Sequence, residues 1–244
     1  MTCMRRKFSG LFLVLAMCFA VNGNTLVTLG GHHFPPYMVF NELDGSCSGE
    51  AVDVSRIILR ESNIDLQLVC ASPARIFRLL KLGEVDFTIN IKSTGALSDG
   101  VEFVDPPYTS LQLMLYENTR IEPGSKLRNI AAIRGFDYNG FRTRLLQQGY
   151  HFIDMPESIS AVKMYLLGRS EGLITYQAPF IYYLQSQQQM PPNNSSSTLL
   201  HAVDSHYVIS NKSILRYELK LAFEQYANKN KLAYFEHSLS QSHK

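Results

Sequence analysis

The chain has 244 residues, enough for one large domain or two of about 100. Its 23 Lys and Arg stand against 21 Asp and Glu for a formal charge of +2, which leaves no clustered basic footprint for a nucleic-acid partner. Arg5, Arg6 and Lys7, the apolar stretch 11–21 and the small residues Gly23 and Asn24 follow the three-part pattern of a cleaved export signal.

Residues 1–23 are therefore read as an address. Without them, 20 basic side chains face 21 acidic ones, the charge falls to −1, and Cys47 and Cys70 are the cysteines that remain of four. The apolar stretch is about half the ~20 residues that a bilayer-spanning helix requires, and no later segment is long and apolar enough. A soluble exported protein is expected. In an oxidising compartment Cys47 and Cys70 either pair, if their α-carbons approach to about 4.4–6.8 Å, or stay separate thiols.

In chain order, residues 25–29 are a β-prone run ending at Gly30-Gly31, followed by the aromatic and proline segment 33–37 and an apolar run to Phe40. Residues 42–45 have turn composition. A helix from Glu50, with Val52, Ile57, Ile58 and Leu59 on its apolar face, leads to a strand at 64–69. A second helix over 74–82 points Ile76, Leu79, Leu80 and Leu82 inward and stops at Gly83, and 85–91 is the next strand. Strands alternating with ten-residue helices imply a mainly parallel sheet covered by helices. The runs 101–108 and 111–116 precede a turn-rich stretch, 118–124. The pattern then restarts with a strand at 130–133, a helix at 140–148, a strand at 151–154, a helix at 158–167 and a strand at 172–176. The polar stretch 185–198 reads as a mobile loop. A strand at 207–209 and a helix at 214–227 complete the chain.

Five features resemble, in order and spacing, the family 3 extracellular solute-binding proteins of the bacterial periplasm. They are Phe34-Pro35-Pro36-Tyr37 after the first strand, the stretch from Gly49 to Asp53, the run Leu79-Leu80-Lys81-Leu82-Gly83-Glu84-Val85-Asp86, the stretch from Phe103 to Tyr108, and Leu166-Leu167-Gly168-Arg169. The resemblance spans nearly the whole exported chain. It implies a type II periplasmic-binding-protein-like α/β fold of two lobes, each a mixed, mainly parallel sheet flanked by helices, with a ligand between them. Residues 24–116 and 206–244 would form the first lobe and 117–205 the second, with crossings near Tyr116 and Ser205. It also implies a periplasmic location and a membrane permease of the ABC type, or a membrane sensor, as partner. A monomer without cofactor or metal is expected.

Candidate site residues follow from this architecture. Tyr37 follows two stiffening prolines at the carboxyl edge of the sheet, where open α/β folds bind ligands, and Phe34 shares that loop. Glu50 and Asp53 open a helix, where they either cap it or meet a ligand. Arg75 either clamps a carboxylate or lies exposed on its helix. In the family a Thr, with an Arg three residues later, holds the ligand's carboxylate; counting back from Phe103 places Thr94 and Leu97 there. An Asp that takes the ammonium is replaced by Tyr176, beside Gln177. Standard α-amino acids are therefore poor ligands on this reading, because unpaired charge in a closed cleft is costly. Lys92, Ser93, Arg75 and Arg142 would suit an acidic ligand, and Tyr37, Tyr176 and Gln177 an uncharged aromatic or sugar-like one. The loop carrying Phe136 and Tyr138 offers backbone amides at a helix start.

Enzymatic readings are weaker. Gly45-Ser46-Cys47-Ser48-Gly49 has the outline of a nucleophile elbow, and Glu50 or Asp53 would be the general acid of a dehydratase on the same fold. His32 and His33 are adjacent on a strand and point to opposite faces, so they do not converge on one metal ion.

Overall fold

The computed structural model describes residues 25–41, 43–97, 99–119 and 128–238. The predicted export segment and most of the 118–124 turn lie outside these residues. Strand β1 (Thr25–Gly31) ends at the aromatic loop, which leads through β2 (Val39–Phe40) and β3 (Cys47–Ser48) into helix α1 (Glu50–Glu61). Next come β4 (Ile64–Cys70), α2 (Pro73–Leu82), β5 (Phe87–Ile91) and β6 (Val101–Phe103). The long strand β7 (Thr109–Asn118) leaves this lobe for the second, which contains β8 (Arg128–Ile133), α3 (Phe141–Gln147), β9 (Tyr150–Met155), α4 (Ser158–Leu166), β10 (Gly172–Tyr176) and α5 (Gln177–Ser186). The return runs through β11 (Ser195–Ser210) to α6 (Arg216–Asn230).

All strands but the short pair β2 and β3 join one nine-stranded sheet, ordered β4-β1-β5-β11-β7-β10-β8-β9, with β6 also on β11. The outer pairs β1–β4 and β8–β9 are parallel, as βαβ crossovers demand. The crossing strands run antiparallel to their neighbours. Strand β11 pairs with β5 from Ser205 to Ile209 and with β7 from Ser205 back to Ser195, so one backbone ladder serves both lobes. Its register shifts between Leu199 and His201 in a β-bulge.

Period-two alternation explains how the lobes are filled. Leu111, Leu113 and Leu115 of β7 enter a cluster with Ile130, Ile133, Leu145 and Tyr176, while Met114 and Tyr116 face α4 and α5 through Val162, Tyr165 and Phe180. In the first lobe α1 and α6 cover one face of the sheet and α2 the other.

Several expectations differ from the structure. The stretch 185–198 is not one polar loop, since α5 continues to Ser186 and β11 begins at Ser195. The strand expected at 207–209 is the end of a 16-residue strand. Leu82, expected to face the core, is exposed at the last position of α2, and the helix expected from 214 starts at Arg216. Among the described residues no helix is long and apolar enough to cross a membrane.

Cys47 and Cys70 form a disulfide with their α-carbons 5.9 Å apart. It ties β3 to the end of β4 across a separation of 23 residues, which by loop-closure entropy stabilises the fold by about 3 kcal/mol. Replacing both cysteines, Cys47→Ser with Cys70→Ser, should lower the melting temperature by roughly 6–12 °C. An unchanged thermal melt for the double variant would refute that contribution.

Candidate functional site

The aromatic loop after β1 is fixed by backbone contacts before any side chain acts. Phe34 N–H donates to the Met38 carbonyl at 2.8 Å and Met38 N–H returns the bond to Phe34 at 3.1 Å. Ala51 N–H, in the first turn of α1, donates to the Tyr37 carbonyl at 2.9 Å. Gly49 makes this docking possible. It has φ +122°, and a β-carbon there would sit 2.7 Å from the Tyr37 carbonyl oxygen.

A cavity of about 60 Å³ lies between the lobes. Its first wall is the carboxyl edge of β1 and β5, with Gly30, Gly31, His32, Thr88 and Asn90; its floor is the crossing pair, with Thr109, Leu111 and Ser205; its far wall is Phe136 and Tyr176. Phe34, Tyr37 and Tyr108 complete an aromatic rim. Phe34 lies nearly parallel to Tyr37, with centroids 6.3 Å apart, and edge-on to Tyr176 at 5.6 Å. Ser158 Oγ, at the start of α4, donates to the His33 carbonyl at 3.5 Å, a second link between the lobes.

No Asp, Glu, Lys or Arg lines this cavity among the described residues. His32 packs against Phe34 and Phe77, and its pKa falls to about 4 through burial and the neighbouring His33, so the ring is neutral at physiological pH. Tyr176 is 2% exposed and burial raises its pKa, which keeps the hydroxyl protonated; that hydroxyl has no hydrogen-bond partner among the described residues. A buried, unpartnered hydroxyl costs about 1–3 kcal/mol. Asn90 is oriented from within: its Oδ1 accepts from Thr94 Oγ at 2.7 Å and from Ile91 N–H at 2.8 Å.

Of the expected residues, the structure brings Phe34, Tyr37, Phe136 and Tyr176 together on the cavity and places the rest elsewhere. Thr94 acts behind Asn90. Tyr138 is buried in the second lobe, where its hydroxyl accepts Ile133 N–H at 2.6 Å. Arg142 is committed to Asp154 at 2.7 Å and to the Phe136 and Ile133 carbonyls, a strut for the loop that carries Phe136. Lys92 is exposed and paired with Asp105, and Ser93 shares an open groove with it. Arg75 is exposed, and Gln177 lines an outer groove beside Pro36 and Tyr182. Leu97 is fully buried against Phe77, Leu80 and Val208, so it packs the first lobe instead of facing a ligand. Glu50 is half-buried beneath the Tyr108 hydroxyl, and Asp53 pairs with Arg56 on the surface of α1. Cys47 is bonded to Cys70 and offers no thiolate. Among the described residues no three His, Cys, Asp or Glu side chains gather as metal ligands.

His32, Asn90, Tyr108, Thr109 and Ser205 line the cavity without having been anticipated as site residues. The rule that ligands meet the carboxyl ends of parallel strands could have marked His32 and Asn90, which follow and end such strands.

The Glu50 carboxyl is raised above its ordinary 4.5 by burial and then by Glu236. A raised acid makes folding less favourable once it ionises, so the penalty is absent below pH 4.5 and complete above the folded pKa. Glu50→Gln should therefore raise the melting temperature by about 1–3 °C at pH 8 and by nothing at pH 4. Equal gains at both pH values would contradict burial as the cause.

No protein-family model matches the sequence, and neither does any curated protein. Solved structures do match. A histidine kinase sensor domain with similarity to periplasmic binding proteins aligns over 89% of this chain and 95% of its own, at 17% identity and a TM-score of 0.70. The GluR0 ligand-binding core in complex with L-glutamate covers 88% and 98%, at 16% identity and a TM-score of 0.67. The arginine-, lysine- and histidine-binding protein ArtJ of Geobacillus stearothermophilus covers 85% and 91%, at 19% identity and a TM-score of 0.64. Identities this low carry the fold alone, and the fold is the two-lobed one of periplasmic-binding-protein-like proteins.

Proposed function

We propose that the chain is a periplasmic solute receptor that captures a small, polar but uncharged ligand between its lobes by hinge closure and delivers it to an ABC-type permease. The observation that carries this reading is the inter-lobe cavity, whose described lining has polar groups from both lobes and no ionised side chain. Neighbours of this fold bind amino acids. A zwitterion in this cleft would leave both of its charges without a partner, because Leu97 lies in the core and Tyr176 is a neutral phenol. Closing two lobes over an uncharged ligand excludes water and strengthens each remaining polar contact.

A sensory role is the second reading, and the likeness to a histidine kinase sensor domain favours it. In that case the closed form acts on a membrane signalling partner. A permease and an ATPase encoded beside the chain would favour uptake, and a membrane kinase would favour sensing.

A thermal-shift panel tests the ligand chemistry. The common α-amino acids should leave the melting temperature unchanged at millimolar concentration, and an uncharged polar compound should raise it. Tyr176→Phe should melt higher than the wild type without ligand, by about 1 kcal/mol of stability, and bind that compound roughly tenfold more weakly. Micromolar binding of glutamate or arginine to the wild type would refute the reading.

A further inference from the structure

We infer that the Phe34 ring is a built-in occupant of the cleft and that the external ligand is an uncharged planar ring bearing a hydrogen-bonding atom, which takes its place. The inference rests on the receptor reading and names its ligand class.

Phe34 belongs to the first lobe by chain and backbone bonding, yet its side chain packs against the apolar cluster of the second, beside Tyr176 and Phe136. Its ring meets the Tyr176 edge at 66° and lies within 15° of the plane of Tyr37. Offset stacking and edge-to-face contacts are the geometries in which aromatic rings attract one another, so this wall already favours a flat ring. The residual cavity is about 60 Å³, well under the ~150 Å³ that holds benzene in an engineered apolar cavity, so a ligand enters by displacing Phe34. The chemistry of the remaining gap gives the rest of the description. Tyr176 lines that gap, its buried hydroxyl has no hydrogen-bond partner among the described residues, and a phenyl group offers it none. A ring carrying a hydroxyl, carbonyl or ring nitrogen would satisfy it.

An internal occupant has two consequences. It holds the lobes together through the chain's own side chains, and it competes with any ligand, weakening the observed affinity by the population of the plugged state.

Phe34→Ala tests both, with phenol as the probe, cyclohexanol as its non-planar counterpart, and the radius of gyration from solution scattering as the readout. The wild type should stay compact with or without phenol. The variant should be more extended, should contract when phenol is added, and should bind phenol at least tenfold more tightly than cyclohexanol. A variant as compact as the wild type, or one that treats the two alcohols alike, overturns the inference. If Phe34→Ala does not fold, Phe34→Leu is judged by the same three criteria. The two readings fail separately. A wild-type chain that binds an uncharged compound from the panel, beside a Phe34 variant that stays compact, keeps the receptor and removes the built-in occupant. A variant that opens and closes around phenol, beside a wild type that binds an ordinary amino acid, keeps the built-in occupant and removes the uncharged-ligand reading.

Discussion

The hydrogen-bonded pairing of β7 with β11 is the constraint on which the rest depends. Backbone donors and acceptors in two long strands must find partners, and these strands satisfy each other from Thr109–Ser205 to Asn118–Ser195 while β5 and β10 take their outer edges. The lobes are consequently two ends of one twisted sheet. Thr109, Leu111 and Ser205 form a floor that neither lobe owns, and Ser205 Oγ donates to the Thr109 carbonyl at 3.1 Å where β11 changes partners. Both walls of the cavity are strand ends or the loops after them, held at a spacing set by this ribbon.

Much of this architecture was legible because βαβ units write themselves in hydrophobic period. Alternation on the strands and the 3.6-residue stripe on α1 and α2 come from burial, and burial is a sequence property. The exceptions share a cause. Helix α5 reads QAPFIYYLQS, with a proline and several β-prone aromatics, but Pro179 falls in the first turn, where its missing N–H removes no helical bond. The first half of β11 is exposed and serine-rich, and it is a strand because β7 supplies a ladder, not because its side chains need a core. The bulge then slips the alternation by one residue, erasing the period that would have revealed it.

The site was legible in part for a similar reason. Phe34 and Tyr37 lie in the loop after β1 and Tyr176 ends β10, at the edge of the sheet where open α/β folds bind ligands. Sequence spacing could not separate charges that face a cleft from charges that hold a loop. Arg142 looks like an anion clamp, yet it braces two carbonyls and Asp154. Leu97 looks like a lost ligand contact and is a core residue. Among the described residues the cavity lining is aromatic rings, aliphatic groups and neutral polar groups.

The bulge in β11 occurs on the rung where His201 opposes Leu113, and Leu113 is also the partner of Tyr176 on β10. A bulge bends its strand and increases the local right-handed twist. One rung of paired backbone therefore joins the bulge to Tyr176, which lines the cavity. The irregularity of the ribbon and the placement of the cavity wall therefore share Leu113.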